Sequence, residues 1–90
     1  MQFPKLSLNG TNGHVLLRQY LDAAEGLRQA TRGLNDIEIH GRDYVLLDSN
    51  AVNIAYSEHQ ERKRKVEAII QELLDIATEI ARQNDERRRP

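Results

Sequence analysis

Six side chains in the middle of this chain have the chemistry of an anion site: His40, Arg42, Tyr44, Tyr56, His59 and Arg62. Guanidinium groups offer forked donors to phosphate, imidazoles offer a second contact to the same anion, and tyrosine faces suit a base or a ribose. His40, Arg42 and Tyr44 fall in the run IHGRDY, and Tyr56, His59 and Arg62 in the run YSEHQERKRK. If the two runs meet in space, the inventory suits a nucleotide-like, phosphate-bearing small molecule. Each residue also has a plain structural reading: Arg42 pairs with Asp36 or Asp43, Tyr44 packs, and His59 makes a hydrogen bond at an interface.

The element that must carry three of the six is a long helix. Val52, Ala55, His59, Arg62, Val66, Ile69, Leu73, Ile76 and Ile80 alternate at spacings of three and four, which predicts a helix packed along its length. His59 and Arg62 are its two polar positions, and a packed seam accepts such groups for a polar partner, as a register device or for a ligand. Asp48, Ser49 and Asn50 are good N-cap residues, so this helix is expected to start there and run to about Gln83.

Upstream, Leu16, Leu17, Tyr20, Leu21, Ala24, Leu27 and Thr31 recur at helical spacing and predict a helix from Asn12 to Arg32. Arg28 and Arg32 near its last carbonyls, Gly33 after them and Leu34 beyond predict a Schellman ending. Gly26 lies inside it, either as a close approach of another backbone or as a tolerated surface glycine costing about 1 kcal/mol. The segment between the helices, with Ile37 and Ile39 alternating and Gly41 free to turn, is expected to be ordered and to include a short helical turn.

The domain organisation expected is an arm over residues 1–11, a single helical-hairpin domain over 12–84, and a charged, disordered tail over 85–90. The arm carries Phe3, Leu6 and Leu8 around Pro4 and is either a docked strap or disordered. The fold class expected is all-α, an antiparallel helical hairpin with a long C-terminal helix. At 1.5 Å per residue the second helix spans about 52 Å and the first about 32 Å, so the far end of the second is left uncovered. That end holds Ile69, Ile70, Leu73, Leu74, Ile76, Ala77, Ile80 and Ala81, a face wider than one partner helix needs. The arm covers part of it and a second subunit the rest, giving a homo-oligomeric helical bundle.

Thirteen basic and fourteen acidic residues among 90 give no global field for a phosphate backbone or an anionic membrane, so nucleic acid is disfavoured and any anion site is local. Without cysteine there are neither disulfides nor thiolate metal sites, and no apolar run approaches the roughly 20 residues that span a bilayer. A cytoplasmic setting with no membrane partner is expected. Within the run RKRK, pairs Glu58–Arg62 and Glu61–Lys65 at i, i+4 would account for much of the charge as a solvated face.

Catalysis is not expected. His14, His40 and His59 lack metal-ligand spacing, so no metal or other cofactor is expected. Ser57 and His59 project differently from a helix, and Gly10 and Gly13 do not form a phosphate loop.

The run HGRDY ahead of a long, charged helix rich in Ala, Glu, Ile and Leu, covering His40 to about Ile80, resembles a pattern in small helical proteins of phages and prophages. Size, hairpin and expected assembly are also similar in kind to the cyclic-dinucleotide sponges with which phages sequester nucleotide immune signals. That likeness is one of architecture and carries over no site residue. It implies a non-enzymatic binder that antagonises host defence signalling, with Arg42, Arg62 and His59 on phosphate and Tyr44 or Tyr56 stacking. The rival expectation is a protein-interaction module that docks a host or virion protein through the apolar face of its second helix.

Overall fold

The structure, a computed structural model, describes residues 1–88. Its elements in chain order are α1 (Gly13–Asp36), a 3-10 turn over Gly41–Asp43, and α2 (Ala51–Arg88); the fold is all-helical. Together they form a rod of 68 × 21 × 19 Å. No helix among the described residues is long and apolar enough to cross a membrane.

Asn12, expected as the first residue of the helix, is its N-cap, its Oδ1 accepting the backbone N–H of His14 (2.8 Å) and of Val15 (3.4 Å). The helix then presents Gly13, Leu17, Tyr20, Ala24, Leu27, Thr31 and Leu34, at strictly alternating steps of four and three, as its buried or half-buried stripe. It does not stop at Gly33. Among the described residues none adopts positive φ, and α1 runs one turn further to end at Ile37 in extended geometry. Leu34 supplies the reason, because its side chain is half-buried and its carbonyl accepts both the Ile37 N–H (3.2 Å) and His59 Nε2 (2.8 Å). Nothing stands within 4 Å of where a Cβ on Gly26 would lie, so that glycine is a surface residue and marks no close approach.

The helices pack antiparallel. A Cβ at Gly13 would fall on the Asn84 carboxamide and crowd Leu6, which fixes the start of α1 against the end of α2. At the other end Leu34 meets His59. Thus α1, about 36 Å long, covers the stretch from His59 to Asn84 of the roughly 57 Å α2, and the first two turns of α2 project past it. This reverses the expected uncovered end. A short hairpin loop would have set the end of α1 against the start of α2. The connection over 37–50 instead lets α1 slide along α2 onto its densest apolar stretch.

The core comprises Ala24, Ile70, Ile76, Ala77 and Ile80, with Ile80 fully buried. The expected seam of α2 is buried or half-buried except at two positions, Arg62 and Ile69, where the neighbours Lys63 and Ile70 turn inward instead; Ala77 is buried beside Ile76. Arg62 is exposed and Ile69 is 47 % exposed. Lys63 can occupy the seam because its methylene stem lies on apolar surface while its ammonium reaches water.

The arm is a docked strap. Gln83, only 4 % exposed, accepts the Leu6 N–H at Oε1 (2.8 Å) and donates from Nε2 to the Pro4 carbonyl (3.0 Å). Helix α2 continues through Asp85 to Arg88, into the segment expected to be a disordered tail, and the remainder of that expectation, Arg89 and Pro90, lies outside the described residues.

Candidate functional site

The two runs that carry the candidate ligand residues lie at the same end of the rod, the loop end, without forming one pocket. His40 is half-buried and bonds through Nε2 to Glu38 Oε2 at 2.7 Å. Arg42 is exposed on the 3-10 turn and Tyr44, half-buried, closes that turn. Tyr56 is 55 % exposed on the projecting start of α2. Arg62 points to solvent, off the seam. No hydrogen bond or ion pair among the described residues links one run to the other.

His59 has a structural task. It is 3 % exposed, and because the Leu34 carbonyl can only accept, Nε2 must carry the proton of their 2.8 Å bond. The imidazole therefore caps one of the carbonyls that the end of α1 leaves without an intrahelical partner. With its edge committed inward, His59 is a register device and is not offered to a ligand in this arrangement.

The cations of α2 are only partly spent on neighbours. Glu61 pairs with Arg64 at 2.9 Å, an i, i+3 contact, in place of the expected i, i+4 pairs Glu58–Arg62 and Glu61–Lys65. Among the described residues Arg42 and Arg62 have no carboxylate within 4 Å; Arg42 pairs with neither Asp36 nor Asp43. Tyr56, Ser57, Gln60 and Arg64 line a shallow depression of about 430 Å³ on the projecting turns. Arg64, rather than Arg62, is the arginine that lines this depression with Tyr56.

The composition of the loop end is its most unusual property. Val45 (71 %), Leu46 (96 %) and Leu47 (64 %) stand exposed in the connection, with Ile54 and Tyr56 more than half exposed on the helix that follows. The run VLL was read in the sequence as part of an ordered connection, and it was the signal available for this surface. The connection is held by local turn bonds, among them Leu47 N–H to the Tyr44 carbonyl (3.1 Å), and the three side chains stay exposed.

At the opposite end, a polar network holds the arm. Glu79 Oε2 accepts from Gln83 Nε2 at 2.7 Å, Arg82 bridges Glu79 (2.7 Å) and Glu86, and Gln83 is thereby oriented toward Pro4 and Leu6. Hydrogen bonds from Arg82 and then Gln83 hold the Glu79 carboxyl down to about 2, and the same bonds to Glu79 raise the Arg82 guanidinium above its ordinary range. Sequence reasoning ended the helix at Gln83 without assigning it a role; its only signal was a glutamine one turn beyond Ile80 on the packed side.

Among the described residues no group of three or more His, Asp or Glu side chains is placed to hold a metal ion. Comparison with protein-family models, with curated proteins and with solved structures gave no match.

Proposed function

We propose that this protein is a non-enzymatic, self-assembling interaction module whose working surface is the loop end. The observation that carries this reading is its surface area. Folded monomers of 10.4 kDa follow a power law that gives about 5,400 Å² of accessible surface, whereas this chain exposes 6895 Å². The excess of about 1,500 Å² on one chain is nearly twice the roughly 800 Å² that a standard interface takes from each partner. Exposed large apolar side chains form one group at the loop end, Val45, Leu46, Leu47, Ile54 and Tyr56, and a second at the arm end, Met1, Phe3, Leu8 and Val15, while the Leu73 to Ala81 stretch that was the rival docking face is mostly buried or half-buried. Assembly there yields a homo-oligomeric helical bundle. Native mass spectrometry at micromolar concentration tests it: a defined oligomer supports the reading, and a monomer at every concentration refutes it.

A second reading has one observation in its favour. The exposed Tyr56 ring and the Arg64 guanidinium share a depression, beside an Arg62 that has no carboxylate partner. Completed at a subunit junction by Arg42 and Tyr44, such a surface would sequester a phosphate-bearing small molecule of the nucleotide class, as a phage antagonist of nucleotide signalling does. Incubation with cyclic and linear nucleotides before the same native spectrum decides it. Discrete nucleotide-sized mass on the oligomer supports sequestration, and no added mass leaves the interaction module alone.

A further inference from the structure

We propose that the loop end is a two-fold interface between copies of this chain, closed by ion pairs between the acidic connection of one copy and the basic run from Arg62 to Lys65 of α2 in the other. This deepens the self-assembly reading and rests on it.

The charges of the loop end are separated along the chain. In the connection Asp43 and Asp48 have no cation within 4 Å among the described residues, while Glu38 is engaged by His40. On α2, Ile54, Glu58, Arg62 and Lys65 follow at steps of four, four and three and so share one exposed face. Arg62 and Lys65 are likewise without a carboxylate partner. Leu46 and Leu47, beside Asp48, and Ile54, between Asp48 and Arg62, are all more than half exposed. By net charge the surface therefore runs from an acidic, partly apolar connection to a basic stretch of α2, with Arg42 and Glu58 the minority charges on either side.

A surface with that order is complementary to itself when turned end for end. An axis near Tyr56 that sets two projecting α2 segments antiparallel brings residue 48 of each copy opposite residue 64 of the other, about 12 Å to either side. The apolar residues then meet at the centre and opposite charges meet at both edges. A parallel arrangement would instead stack like charges. Burying about 800 Å² on each copy, the usual share of a standard interface, would remove about half of the surface excess described above.

Charge reversal on each side tests this. The variants D43K/D48K and R62E/K65E are each compared with the unaltered chain by sedimentation velocity, alone and mixed in equal amounts, with helicity followed by circular dichroism. Each alone should be monomeric, because both edges now oppose like charges. The mixture should recover the dimer, because both edges of the mixed pair join opposite charges. Asp48 also accepts the Asn50 N–H (2.8 Å) at the start of α2, so D43K alone replaces the double variant if that one loses helicity. Either variant dimerising like the unaltered chain, or a folded mixture remaining monomeric, overturns the interface while leaving self-assembly standing. An unaltered chain that is monomeric removes both.

Discussion

His59 donates from Nε2 to the carbonyl of Leu34 at 2.8 Å, and this one bond between residues far apart in sequence sets where α1 ends and where α2 begins to project. Replacing His59 by leucine keeps the apolar packing and removes the donor. The Leu34 carbonyl then keeps only its bond to the Ile37 N–H, and stability should fall by about 1–3 kcal/mol. Urea unfolding measures the loss. Hydrogen exchange should show it localised, with the amides of the last turn of α1 losing protection first.

Gln83 reads the arm as backbone, bonding the carbonyl of Pro4 and the N–H of Leu6. Gln83→Leu should release the arm while leaving both helices in place, since the core side chains Ile70, Ala77 and Ile80 are untouched. Limited proteolysis checks this: cleavage after Lys5 should be slow in the unaltered chain and at least tenfold faster in the variant.

The same anchor should loosen in acid. The Glu79 carboxyl is held at about 2, below its ordinary value of 4.5, chiefly by hydrogen bonds from Arg82 and then Gln83. A depressed carboxyl contributes stability that is fully present above about 4.5 and is lost as pH falls through about 2. Protection of the Leu6 amide should therefore decline between those two values. Glu79→Gln should abolish that dependence, and an unchanged acid profile in that variant would show that another group controls the arm.

Glycine substitutions separate open positions from a closed one. Gly26→Ala and Gly33→Ala place a methyl group in open space within a helix and should each stabilise by about 1 kcal/mol. Gly13→Ala must displace Asn84 or Leu6 and should destabilise. Thermal unfolding of the three variants gives the signs directly.

Much of this architecture was legible from residue types. The two helices and the short helical turn between them follow from local chemistry. The seam of α2 was legible only to within one residue, because adjacent apolar pairs, Ile69 with Ile70 and Ile76 with Ala77, satisfy either choice of stripe. Packing against α1 selects Ile70 over Ile69 and Lys63 over Arg62, while Ile76 and Ala77 are both buried. The glycine stop at residue 33 was overridden by a tertiary bond from His59. The role of Gln83 was not legible at all, since its partners Pro4 and Leu6 lie at the opposite end of the chain.

The most direct test of the central claim is sedimentation velocity of the unaltered chain beside Leu46→Lys/Leu47→Lys. Both leucines are exposed in the subunit, so the substitutions should leave the fold intact. The account predicts an oligomer for the unaltered chain and a helical monomer for the variant; equal masses for the two would contradict it.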